Sequence, residues 1–188
     1  ICFTSESTKD IGTDFNLDLY TMSLEKSGEP KNITTDNPGN DMNPVYSRAG
    51  GQIAFQRQTT KYFYADRIRL MIHEKKDHRH WETDKDFDYS CHDQQWIAKD
   101  EGLLFEAEVE GHHRIFNGGN GGLRHSVTHG FSDTSLHLAA NGVSFAFLRS
   151  SFDVPSQLFC VANRSSTPVR IDKFNDDLTS QWDLGPTK

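Results

Sequence analysis

Apolar and polar residues alternate with a period of two along most of the chain, in short runs rich in β-branched and aromatic residues and bounded by turn formers. No long segment keeps a helical period, so the pattern predicts an all-β protein. Four apolar runs look like copies of one strand: Ile1–Phe3 (ICF), Ile53–Phe55 (IAF), Leu103–Phe105 (LLF) and Phe145–Phe147 (FAF). Their closing phenylalanines are separated by 52, 50 and 42 residues (3 to 55, 55 to 105, 105 to 147). A second set follows around Leu19, Leu70, Ile115 and Leu158, at spacings of 51, 45 and 43. A third set closes each unit: KNITT ending at Thr35, HWETD at Asp84, HSVTH at His129 and VRIDK at Lys173. Three anchors thus keep their order four times.

Ahead of three of these units stands a further short strand and a turn, NPVYSRAGGQ, QQWIAKDEG and SLHLAANG, whose glycines Gly50, Gly51, Gly102 and Gly142 can supply the positive φ of a tight hairpin. Each unit therefore reads as a four-stranded antiparallel meander. A repeat of about 40 to 50 residues with four strands is the signature of a β-propeller blade, whose sheets stack radially to bury their faces. The first unit lacks its leading strand. The tail after Lys173 offers no good alternating strand to complete it, although Thr179–Gly185 (TSQWDLG) has room for a short one. Because an open arc exposes sheet faces and strand edges, the expectation is a partial propeller of about four blades, roughly 1–42, 43–91, 92–132 and 133–175, in a single domain over 1–188 that belongs to a larger propeller of about seven or eight blades. Residues 176–188 are expected to leave it toward a further domain.

At 188 residues the chain is long enough for one sizeable core. A net charge of -7, with basic residues scattered among acids, argues against a nucleic-acid partner. No apolar stretch approaches the roughly 20 residues of a membrane span. Any secretion signal would lie upstream of Ile1. Cys2, Cys91 and Cys160 lack paired spacing and read as buried small side chains. Asn32 and Asn163 stand in glycosylation sequons, which matter only on a secretory route. Asn117–Gly122 (NGGNGG) is followed by no lysine or helix start and reads as a turn, not a phosphate loop.

Several groups carry candidate chemistry. Ser150, Ser151 and Asp153 would suit a hydrolase only with a histidine and an oxyanion hole in reach; otherwise they form a hairpin loop in which Pro155 keeps Val154 extended. Glu106, Glu108 and Glu110, at spacing two, would share one face of a solvated strand edge. His78 and His80 would project to one side of a strand, with Asp77 or Asp84 nearby, but two ligands fall short of the four that structural zinc needs. The other histidines, His73, His92, His112, His113, His125, His129 and His137, read as propeller surface. Asp66 and Arg67 point to opposite faces of a strand and would find partners between blades. No catalytic, cofactor-binding or metal residue is assigned.

The blade motifs resemble those of the prolyl oligopeptidase superfamily of serine peptidases, especially its dipeptidyl peptidase and acylaminoacyl peptidase branches. Tyr46–Phe55 (YSRAGGQIAF) and Trp96–Phe105 (WIAKDEGLLF) are similar to that family's W-S-P-D-G-x-x-I-A-F blade start, without the S-P-D core. Ala65–Glu74 (ADRIRLMIHE) resembles its D-R-x-x-L strand, and Asp86–Ser90 (DFDYS) its W-D-x-S turn. Phe147–Val161 resembles the family's last-blade segment, and Lys173–Pro186 the exit toward the catalytic domain. The resemblance implies a parent serine peptidase whose propeller gates short peptides into an α/β-hydrolase domain. That domain's G-x-S-x-G elbow does not occur in this sequence, and Phe105–Gly111 (FEAEVEG) does not match the family's substrate-amine glutamate pair. Peptides and the hydrolase domain are the implied partners, no cofactor is implied, and this chain should be inactive alone. The alternative is a protein-docking propeller resembling the periplasmic translocation protein of the Tol system.

Overall fold

The computed structural model describes residues 1–7, 15–26, 28–119 and 122–182. The alternating runs form strands β1 (Cys2–Glu6), β2 (Leu17–Thr21) and β3 (Lys31–Asn32), then β4 (Asp41–Tyr46), β5 (Gln52–Arg57), β6 (Arg69–Glu74) and β7 (Arg79–Glu82). They continue as β8 (Cys91–Trp96), β9 (Leu103–Val109), β10 (His112–Gly119) and β11 (Gly122–Ser126), and close with β12 (Ser132–Leu138), β13 (Phe145–Ser150), β14 (Gln157–Val161) and β15 (Val169–Arg170). Strands consecutive in sequence are neighbours, giving one three-stranded and three four-stranded sheets. Hairpins suffice to join such antiparallel neighbours. The phenylalanine anchors lie on β1, β5, β9 and β13, and the second set on β2, β6, β10 and β14. This is the partial β-propeller that the repeat predicts. Helix α1 (Asp176–Thr179) follows the last sheet. The described part of Thr179–Gly185 is therefore helix end and turn rather than a strand, and residues 183–185 lie outside the described residues.

The chain divides into two compact units, Ile1–Trp96 and Ile97–Lys188, the division falling just after β8. In the first unit Leu19, Phe55 and Met71 form a buried cluster with Cys2 and Ile33 against it, so β2 of the first sheet meets β5 and β6 of the second. In the second unit Ile97, Leu104 and Ile115 pack on Leu136, Phe145, Phe147 and Val161. Phe147 lies 6.0 Å from both Phe145 and Phe159, ring centre to ring centre. Burial of each such side chain contributes about 1.5–3 kcal/mol.

Two polar devices recur with the repeat. Where the last strand of a sheet gives out, a side-chain oxygen caps the strand before it: Thr34 Oγ1 accepts from Leu19 N at 2.9 Å, Thr128 Oγ1 from Ile115 N at 3.1 Å, and Asp172 from Leu158 N. Each satisfies a backbone donor that would otherwise be left without a partner. The second device lies in the first strand of a blade, where Asn43, Asp93 and Ser135 all have positive φ (52°, 51° and 59°). Pairing slips there in β4, between Met42 and Val45, and in β12, between Thr134 and His137. Such a bulge re-aims the residue after it. Gln94, the residue after Asp93, accepts Gln56 Nε2 at 2.8 Å and donates to Asn43 O at 2.6 Å, while Trp96 Nε1 donates to Val45 O at 3.0 Å. Leu136, after Ser135, donates its N–H to Glu106 Oε1 at 2.6 Å. Gln56 and Glu106 each follow an anchor phenylalanine, so the same position reaches the next blade twice, once as donor to a side-chain oxygen and once as acceptor from a backbone N–H.

Of the three residues with positive φ, the exposed Ser135 is least suited to a left-handed backbone, which asparagine tolerates and β-branched residues resist. Ser135→Asn is expected to raise stability by about 0.5 kcal/mol and Ser135→Val to lower it by about 1 kcal/mol or more, read as opposite shifts of Tm in thermal denaturation.

Candidate functional site

A charged pair bridges the first two strands of two blades at the same place. Asp41 opens β4 opposite Arg57 at the end of β5, and Asp133 on β12 faces Arg149 on β13. Both aspartates precede their anchor phenylalanine by 14 residues (41 to 55, 133 to 147), and both arginines follow it by two. The third blade has Cys91 and Ala107 at these offsets, both buried. Neither of these two residues carries a charge. The pairs share one geometry: Arg57 Nε and Nη2 donate to Asp41 at 2.7 and 3.2 Å, and Arg149 Nε and Nη2 to Asp133 at 2.7 and 2.9 Å. Neither aspartate side chain is exposed at all, so removing its arginine would leave a buried carboxyl without its ion-pair partner; burial pushes Asp41 up to about 6 against the opposing hydrogen bonds and charge of Arg57.

The two arginines differ in their other edge. A guanidinium has a side edge, Nε with one terminal nitrogen, and an end edge formed by both terminal nitrogens. In the second blade Asp36 takes the end edge, accepting from Arg57 Nη1 at 3.2 Å and Nη2 at 3.4 Å. Partial burial pushes the Asp36 carboxyl upward, but the hydrogen bonds and charge of Arg57 outweigh it and hold the carboxyl below its usual range. Asn37 completes the set, donating to Asp41 Oδ2 and to Gln58 O. In the fourth blade the loop is built differently. Counting from the capping threonines Thr34 and Thr128, Gly130 stands where Asp36 stands and Phe131 where Asn37 does. Among the described residues no carboxylate takes the end edge of Arg149. Its guanidinium lies 4.7, 5.3 and 4.9 Å from the ring centres of Phe131, Phe147 and Phe159. Beside it opens a cavity of about 260 Å³ between Phe131, Ser150, Ser151, Val154, Gln157 and Phe159.

The serines singled out in the sequence therefore border this cavity, but not as nucleophiles. Ser151 Oγ donates to Asp153 Oδ1 at 2.6 Å, and Ser151 exchanges backbone bonds with Val154 across the β13–β14 turn. A serine bonded directly to a carboxylate has no imidazole between them to take its proton. His112 lines an adjoining open cavity with Ser150 and Ser151.

Three readings from the sequence are corrected. Glu106 is no solvated edge residue, being buried against the following blade through the Leu136 bond; Glu108 alone of the three is exposed on β9, and Glu110 sits in the turn with φ 54°. Asp66 and Arg67 find partners within their own blade rather than between blades. Asp66 binds the N–H groups of Thr59 and Thr60 and Arg69 Nη1, while Arg67 binds Glu82 and the Phe87 carbonyl. Slight burial opposes the charge of Asp66, yet those donors hold its carboxyl at about 2. The clamp closes a loop whose tip exposes Tyr62, Phe63 and Tyr64. Finally, His78 lies in the turn at φ 57°, ahead of β7, and shares no strand with His80. The partner of His80 is His73, directly across the β6–β7 hairpin with ring centres 4.7 Å apart. Of the stretch expected as a turn, Asn117–Gly119 end β10 and Gly122 opens β11, with Asn117 paired to His125 and Gly119 to Gly122, while residues 120 and 121 lie outside the described residues. Cys91 is buried, Cys2 and Cys160 are half-buried, and all three are free thiols.

The histidine pair has a titration signature. His73 is 2 % exposed, and both it and His80 bury an Nδ1 without a hydrogen-bond partner. Burial first, then the neighbouring His80 and His78, push His73 down to about 4, with Glu74 and Asp77 opposing. Burial likewise lowers His80, against the pull of Asp36. Folding therefore favours the neutral rings, and their stabilisation is present in full above the ordinary histidine value near 6.5 and fades as pH falls from there toward 4. Tm is expected to drop through that window, and His73→Leu to flatten the profile, as measured by thermal denaturation across pH 4 to 8.

Neither a family model nor a curated protein matches the sequence. Solved structures do match in fold. The acylaminoacyl peptidase of Pyrococcus horikoshii overlays with a TM-score of 0.72 at 12 % identity, over 97 % of this chain and 26 % of that one. The propeller domain of the trilobed protease of Pyrococcus furiosus gives 0.66 at 14 %, over 96 % and 55 %. A putative TolB of Agrobacterium tumefaciens gives 0.64 at 11 %, over 90 % and 60 %. The chain thus spans from a quarter to three fifths of the length of these proteins. These overlays show a β-propeller fold for this chain.

Proposed function

We propose that the chain is the non-catalytic propeller portion of a serine peptidase of the prolyl oligopeptidase type, restricting access of short peptides to an α/β-hydrolase domain of the same parent chain. The observation that carries this reading is the overlay on acylaminoacyl peptidase along nearly the whole chain, joined to the ordered blade motifs. In such an arrangement chemistry belongs to a Ser-Asp-His triad on the hydrolase domain. The blades contribute a stiff, close-packed wall that admits extended peptides and turns away folded ones. The residues of this chain are consistent with that division, since Ser151 is committed to Asp153 and the buried carboxylates to structural bonds.

A second reading, a protein-docking propeller, is favoured by the overlay on the putative TolB. The coding sequence downstream of Lys188 discriminates: a hydrolase domain with G-x-S-x-G is the expected outcome, and further blades or a stop codon would favour docking. The chain by itself is expected to give no turnover of dipeptidyl or acyl-amino-acid chromogenic substrates. Turnover abolished by Ser151→Ala would overturn its non-catalytic role.

A further inference from the structure

We propose that the end edge of Arg149 binds the carboxylate of an apolar acid, namely the C-terminal residue of a short peptide. The chain contains its own template for this complex. Arg57 and Arg149 occupy equivalent positions, each with its side edge held by a buried aspartate in nearly the same geometry. In the second blade the end edge holds a further carboxylate, that of Asp36, with one oxygen on each terminal nitrogen. In the fourth blade the corresponding loop carries Gly130 and Phe131, and no described carboxylate replaces Asp36. A ligand carboxylate seated as Asp36 is seated on Arg57 would complete the same two-anion arrangement around one guanidinium, an arrangement this fold already accommodates.

The surroundings select what the carboxylate is attached to. Asp36 is more than half exposed, so the template site is wet, whereas Arg149 lies among three phenylalanine rings and faces the 260 Å³ cavity. The rings fix the guanidinium plane and lower the local polarity, which strengthens a charged hydrogen bond. Phe131, Val154 and Phe159 offer apolar cover for a side chain next to the carboxylate, while Gln157 and the Ser150 and Ser151 hydroxyls can meet an amide. A small hydrophilic anion would gain the charge contact but not the cover. The choice of a peptide as the source of the acid rests on the peptidase reading; the vacant edge does not.

The test is isothermal titration of the 188-residue chain with three probes: 3-phenylpropionate, N-acetylglycyl-phenylalanine, and the C-terminal amide of that peptide. Both acids are expected to bind, with the amide about tenfold weaker or more, since it lacks the charge that completes the fork. Val154→Trp, which fills the cavity from a partly exposed loop, is expected to abolish acid binding without lowering Tm. It carries the test because Arg149→Gln also strands the buried Asp133. Equal binding of acid and amide, no binding of either acid, or unchanged binding by Val154→Trp would each overturn the site. Binding of phenylpropionate without the peptide acid overturns the peptide as occupant. A downstream gene sequence without a hydrolase domain would remove the peptidase reading while leaving acid binding at Arg149 in place, so the two can fail separately.

Discussion

Sheets of three or four strands, each two to eight residues long, are too small to stand alone, so everything in this molecule depends on how their faces are covered. Apolar side chains supply the bulk of the cover: Phe55 with Leu19 and Met71 in the first unit, and the Phe145, Phe147 and Ile115 group in the second. Apolar area alone does not fix how one sheet lies on the next, because the hydrophobic effect has no direction. Direction comes from the bonds made just after the positive-φ residues Asp93 and Ser135, Gln56 to Gln94 and Glu106 to the Leu136 N–H. A charged or amide side chain buried at such a place is costly unless it meets its one partner, and that cost is what makes it a register mark.

Much of this architecture was legible in the sequence. Triplets ending in phenylalanine are conspicuous, and three anchors repeated in order leave few alternatives to a blade. The positive-φ positions were not legible, because Asn43, Asp93 and Ser135 share a backbone angle and not a side-chain type. Their spacings, 50 and 42 (43 to 93, 93 to 135), nevertheless equal those of the phenylalanines that follow them. Glu106 was misread because alternation says which side of a strand a residue faces, but not whether another sheet lies there. His73 and His80 are seven apart in sequence, and only the hairpin register places them opposite one another.

The charged pairs also leave a pattern in the sequence. An aspartate 14 residues before an anchor phenylalanine and an arginine two after it occur in two of the three complete blades, a pattern as regular as the apolar one. Searches for catalytic constellations look for polar residues close in sequence, whereas these pairs are defined by distance from a hydrophobic landmark. At the same offsets the third blade carries Cys91 and Ala107, each buried and neither charged, so the repeat does not demand an ion pair there.

Asp36 has a wider meaning in this setting. It is a ligand that has become part of the chain, at saturating effective concentration and impossible to wash out. A repeat protein that carries the same arginine in several blades can therefore hold some copies permanently plugged and others available, and one acidic residue in a surface loop is enough to convert a copy from the second kind to the first. The number of recognition points on such a protein is set by its loop acids and not by its count of blades, and it can change without disturbing a single strand.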